Sequence, residues 1–129
     1  MSETILLVAP DTHLRQQVRS ALQPHGYRVL EASGGTAARQ LCRQQDGPIH
    51  LLLTDVLMPE INGHHLAEQI TILSPCLRVL YMSDAPNAPL VALFDRTRSL
   101  ALIQKPFTTN ALLRKIRRLL NSLRPECPP

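Results

Sequence analysis

Aromatic residues are almost missing from this chain: its 129 residues include no Trp, two Tyr and two Phe. That scarcity argues against a stacking platform for single-stranded nucleic acid, which needs several exposed rings. Cysteine is nearly as scarce. Cys42, Cys76 and Cys127 are odd in number and form no C-x-x-C pair, so they read as free thiols of a reducing compartment rather than a disulfide framework. Long apolar runs are also lacking. Ile5 to Ala9 is too short for a signal peptide, Met1-Ser2-Glu3-Thr4 has no positive start, and no stretch approaches membrane-spanning length. A soluble cytoplasmic protein without membrane contact is expected. Glycine is sparse too, and the lone pair Gly34-Gly35 lacks phosphate-loop spacing and reads as a turn. Acidic residues run out toward the end. After Asp95 the chain carries Arg96, Arg98, Lys105, Arg114, Lys115, Arg117, Arg118 and Arg124 against Glu126 alone, within a net charge of +4. A solvated basic helix face is preferred there over an acidic partner surface or nucleic acid.

What the chain does contain is regular alternation. With 44% apolar residues in one domain's length, it can bury a core without staples. Strands are expected over Thr4–Ala9, Tyr27–Ala32, Ile49–Thr54, Arg78–Met82 and Leu100–Ile103. Ile49-His50-Leu51-Leu52-Leu53 is nearly continuously apolar, the pattern of a parallel strand buried on both faces. Helical spacing runs from Thr12 to Gln23 (Leu14, Val18, Leu22), stopping at Pro24-His25-Gly26. It returns over Gly35 to Arg43, after Asn62-Gly63 (Leu66, Ile70), and after Thr108-Thr109-Asn110 (Leu112, Ile116, Leu119, Leu123). Between the last two strands only Leu90 to Asp95 reads as helical. Arg124 to Pro129 reads as a tail or truncated linker, so the domain is placed at 1–123, acting alone through protein contacts or beside neighbours outside this chain.

Strands and helices alternating at this spacing imply an α/β fold with a doubly wound parallel sheet. Such sheets bind ligands beyond the carboxyl ends of their strands. Those ends carry Asp55 after the third strand, Ser83 after the fourth and Lys105 after the fifth. A carboxylate, a hydroxyl and an ammonium converging on one crevice suit phosphoryl transfer to a carboxylate. Asp55 would attack, Ser83 would donate to a phosphoryl oxygen and Lys105 would offset its charge. Each residue alone is weak evidence, since a strand-end Asp or Ser is more often a cap and a lone Lys is usually solvated. His64-His65, being adjacent on a helix, do not face one another and do not suggest a metal site.

Context sharpens the reading. The segment from Leu51 through Asp55 and Pro59 to Gly63 closely resembles the phosphoacceptor segment of response-regulator receiver domains. Arg78 to Ser83 resembles their fourth strand and switch hydroxyl, and Gln104-Lys105-Pro106-Phe107 their Lys-Pro-Phe signature. The resemblance covers the chain to about Leu123 and is nearest in wording to receivers of hybrid sensor histidine kinases. It implies a flavodoxin-like (βα)5 sheet in order 2-1-3-4-5. Asp55 is then the phosphoacceptor, Ser83 the switch hydroxyl and Lys105 the phosphate-sensing cation, and the Lys105–Pro106 bond is often cis. It also implies a phosphorelay module of two-component signalling rather than an enzyme. The partners implied are a sensor histidine kinase or phosphotransfer protein, and an output protein meeting the last strand and helices; homodimerisation stays open.

Four positions depart from that pattern. Receivers place two acids after the first strand to hold Mg²⁺, and here Ala9 and Pro10 stand there. With Asp55 and the Leu57 backbone carbonyl as the remaining donors, Mg²⁺ is expected to bind weakly or not at all. Asp11 and Asp84 are the second-choice ligands. Asp11 is better read as the cap of the first helix, and Asp84 either repels phosphodonors at the doorway or turns to solvent. Leu102 replaces the aromatic gate common three residues before the lysine and reads as a strand residue. Two readings follow: a receiver that still accepts phosphate on Asp55, and a pseudo-receiver that binds partners without phosphorylation. A flavodoxin-like cofactor-binding or hydrolytic enzyme is set low, there being no flavin-stacking aromatic pair and no Ser-His arrangement at the strand ends.

Overall fold

The central strands are too apolar to leave either face in water, and the fold answers by sandwiching them between helices. The computed structural model describes residues 3–58, 61–84 and 101–122. In chain order these form β1 (Thr4–Val8), α1 (Thr12–Leu22), β2 (Arg28–Ala32), α2 (Gly35–Gln44), β3 (Leu51–Asp55), α3 (Gly63–Leu73), β4 (Arg78–Asp84), β5 (Ala101–Lys105) and α4 (Thr109–Asn121). The sheet order is β2-β1-β3-β4-β5, and every pairing is parallel. The expected order 2-1-3-4-5 is thus the observed one. The segment holding the expected Leu90–Asp95 helix, and the tail after Leu123, lie outside the described residues.

Alternation along each strand divides the core in two. Ile5, Leu7, Leu51, Leu53, Leu80 and Met82 face α1 and α4, which contribute Val18, Leu22, Leu112 and Ile116. Leu6, Val8, Leu52 and Tyr81 face the other way, toward Ala38 of α2 and Leu66 and Ile70 of α3. β1 and β3 are buried along their whole length, which explains the apolar runs Ile5 to Val8 and Leu51 to Leu53.

Several expected boundaries move. α1 gives way at Gln23 to a single 3-10 turn over Gln23–His25, closed by Gly26 in the left-handed region at φ 90°, where glycine carries no Cβ penalty. β4 runs two residues further than expected, through Ser83 and Asp84, and β5 continues to Lys105. The two strands stay in register there, Ser83 with Gln104 and Asp84 with Lys105, so backbone pairing persists where the apolar pattern has stopped. One expectation is corrected. Cys42 is a free thiol, but Cys76 is disulfide-bonded. Spacing alone gave no sign of that bond.

Candidate functional site

β3 delivers Asp55 to the carboxyl edge of the sheet with its backbone still paired to Met82 of β4. The chain must then turn at once into the loop leading to α3, and Gly63 makes that turn fit. Its amide donates to the Val56 carbonyl at 2.6 Å, and a Cβ at Gly63 would overlap the backbone carbonyl of Asp55. Asn62 caps α3 by accepting from the His65 amide at 2.7 Å. The backbone of Asp55 is thereby held on both sides.

β5 brings Lys105 to the same edge. Its ammonium lies 2.6 Å from Asp55 Oδ1, with the carboxylate side chain 8% exposed and the lysine 21% exposed. The contact is a close, charge-assisted ion pair. Burial pushes the Asp55 carboxyl above its ordinary value, the Lys105 ammonium opposes that push, and the charges of Asp84 and Asp11 add to it. Ser83, at the end of β4, is buried as well. Its hydroxyl donates to the Asp84 carbonyl at 3.1 Å. Asp55, Leu57, Ser83, Asp84 and Lys105 line a small cleft of about 30 Å³, roughly one water's share of liquid volume. The Lys105–Pro106 bond is cis.

The remaining candidates divide. Asp11 caps α1: Oδ1 accepts from the His13 amide at 2.9 Å and the Leu14 amide at 3.4 Å. Asp84 is exposed and stands level with Lys105 across the strand pair. Ala9 is fully buried. It follows Val8, whose partner is Thr54, so the next residue pair along the sheet is Ala9 beside Asp55, with both side chains on the α1 face. Leu102 is half-buried, in register with Tyr81.

This geometry bears on the Mg²⁺ that the resemblance implies. The ion takes about six oxygens in near-octahedral order. The crevice offers the Asp55 carboxylate, the Leu57 carbonyl and, at its exposed edge, the Asp84 side chain level with Lys105, while the neighbour beside Asp55 presents a methyl group and Pro10 a ring without oxygen. Asp11 is committed to its cap. Among the described residues no group of three His, Cys, Asp or Glu side chains could hold a metal ion. The buried oxygen that a metal would meet is met instead by the Lys105 ammonium. These donors do not fit the magnesium cradle.

Sequence reasoning missed two contributors. One is Gly63, whose need arises only from the approach of α3 to β3. The other is Arg15, whose guanidinium donates to the carbonyls of Ala9 at 2.5 Å and Pro10 at 3.2 Å and faces Glu31 at 3.5 Å. An arginine one turn into a helix carries no such signal in one sequence. The basic end of the chain is also partly consumed inside the fold. Lys105 pairs with Asp55, Lys115 donates to the Leu102 carbonyl, and Arg117 pairs with Glu3 at 2.6 Å over the Tyr27 ring.

The chain is similar to known proteins in sequence and in fold. The chain matches the family described as the response regulator receiver domain over residues 5–117. It is 33% identical over 116 residues to the response regulator receiver protein CpdR of Brucella abortus, covering 90% of this chain and 95% of that protein. It is 26% identical to the sensor kinase CckA of the same organism, over 92% of this chain but 13% of that protein. In fold it is similar to a CheY-like receiver domain protein from Methanospirillum hungatei, with a TM-score of 0.82 at 24% identity, covering 94% of this chain and 95% of that one. No helix among the described residues is long and apolar enough to cross a membrane.

Proposed function

The chain belongs to the response regulator receiver domain family of two-component signalling, and from that premise we propose that it is a phosphorelay module whose phosphoryl acceptor is Asp55. The observation that carries this reading is the Asp55–Lys105 pair at 2.6 Å, beside the buried Ser83 hydroxyl. In the proposed step a carboxylate oxygen of Asp55 attacks phosphorus and forms the acyl-phosphate bond. The bond from phosphorus to the donor's imidazole nitrogen breaks, and its electron pair leaves with that nitrogen. Lys105 then shifts from the carboxylate to the new phosphoryl charge. Ser83 exchanges its Asp84 carbonyl for a phosphoryl oxygen. The module turns over nothing itself. It works in the cytoplasm, takes its phosphoryl group from a sensor histidine kinase or phosphotransfer protein, and signals to an output protein through its last strand and helices.

A specific observation favours a second reading. Ala9 fills the place beside Asp55 where a metal-binding acid would stand, so the electrostatic load falls on Lys105 alone. A phosphorylation-independent interaction module would have this pocket too.

Labelling separates the two. The chain is incubated with acetyl phosphate, or with a phosphorylated phosphotransfer protein, and its intact mass is measured. Addition of one phosphoryl group that is lost in Asp55→Asn supports the acceptor reading. No labelling of the folded chain by either donor, or labelling that survives Asp55→Asn, overturns it.

A further inference from the structure

The sheet face that α2 and α3 cover carries a second cleft, of about 570 Å³, whose walls include Thr36 and Arg39 of α2 and Asn62, His65 and Gln69 at the start of α3. Arg39 dominates it. Nη1 donates to Gln69 Oε1 at 2.8 Å and Nη2 approaches Thr36 Oγ1 at 3.5 Å. Both partners are neutral, and among the described residues no carboxylate pairs with Arg39. On the opposite sheet face, Arg15 and Arg19 share Glu31, and Arg117 holds Glu3. A half-buried guanidinium fixed by an amide and a hydroxyl keeps its whole charge and most of its five donors for something else.

The rest of the cleft points the same way. Asn62 spends its oxygen on the His65 amide, so its remaining side-chain group is a donor. His65 is exposed at the rim and adds a further N–H. Gly35 keeps the wall tight: a Cβ there would meet Ile61 Cγ2 at 2.6 Å and Arg39 Nη1 at 3.3 Å. α2 opens on Gly34, which offers no side-chain cap to its first turn. The lining thus combines one fixed cation with neutral donors, and the side-chain oxygens of Gln69 and Asn62 are already engaged.

We propose that this cleft binds a phosphate group, with the Arg39 fork as its principal contact and Asn62 and His65 flanking it. Planar, bidentate recognition of phosphate is what a fixed guanidinium does best. The site is separate from the Asp55 crevice and stands whether or not Asp55 is phosphorylated.

The test is a titration of the isotope-labelled full chain with inorganic phosphate, followed by NMR against a chloride control of equal ionic strength. Saturable shifts centred on Gly35, Thr36, Arg39 and His65 are expected. Arg39→Gln should weaken binding about tenfold or more, and His65→Ala, at an exposed position, should weaken it less with the fold intact. Asp55→Asn should leave it unchanged. A phosphate monoester run in parallel identifies the source: tighter binding than inorganic phosphate marks an organic phosphate, and equal binding marks the free ion. Shifts that follow chloride equally, centre on Lys105, or persist in both Arg39→Gln and His65→Ala would overturn the proposal.

Discussion

Asp55 holds its charge against its surroundings. Burial disfavours the ionised form, the Asp84 and Asp11 charges disfavour it further, and the Lys105 ammonium offsets these without cancelling them, so the carboxyl sits above its ordinary value. A carboxyl with a raised folded pKa binds more protons folded than unfolded in the interval between the two values. Stability therefore falls as pH rises through that interval, and above it the ionised group costs stability in full. Asp55→Asn keeps the shape and removes the charge, so it should be more stable than the parent at neutral pH. The margin should close as pH falls into the ordinary aspartate range. Thermal unfolding of both proteins across that range measures it, and a less stable Asn variant at neutral pH would contradict this account. The same shift affects reactivity. Because only the carboxylate attacks, labelling of Asp55 should begin to fail at a higher pH than it would for an ordinary aspartate.

At the scale of elements, the site depends on how closely helices approach strand ends. Gly63 starts α3 against the Asp55 carbonyl with no space for a methyl group. Gly63→Ala must push α3 outward or bend the end of β3, and should cost about 1–3 kcal/mol in urea unfolding while slowing any labelling of Asp55. Two other helix starts are held by ordinary caps: Thr108 accepts from the Ala111 amide at 3.1 Å and Asp11 from His13. Replacing Thr108 with Ala should therefore cost only about 1 kcal/mol and leave labelling alone. The elements themselves were legible in the sequence because β1 and β3 carry the apolar runs Ile5 to Val8 and Leu51 to Leu53 and the helices keep their stripes. Their ends were less so. Ser83-Asp84 and Gln104-Lys105 are polar, and they remain strand because each pairs with the other, a relation between segments that no local window contains. The contacts of Gly63, Arg15 and Arg39 were illegible for the same reason, each depending on a distance between separate elements.

For the whole molecule, parallel strand order brings residues remote in sequence to one edge, and this made the Asp55–Ser83–Lys105 set legible in the sequence. The same register shows what the edge lacks. Ala9 stands beside Asp55, and Pro10, next along, is exposed, so two carboxylates introduced there would lie at the mouth of the crevice. The fold should tolerate them: Asp11 still caps α1, and the Arg15 guanidinium grips backbone carbonyls at 9 and 10 rather than side chains. The central claim is that Asp55 is a competent acceptor in a crevice short of metal-binding charge. The rate of acetyl phosphate labelling, measured with and without Mg²⁺ in the parent and in the double variant Ala9→Asp, Pro10→Asp, tests it most directly. The account predicts slow, Mg²⁺-insensitive labelling of the parent, labelling of the variant that is about tenfold faster or more and requires Mg²⁺, and none after Asp55→Asn in either background. A parent that already labels as fast as the folded double variant, with the same dependence on Mg²⁺, would contradict it.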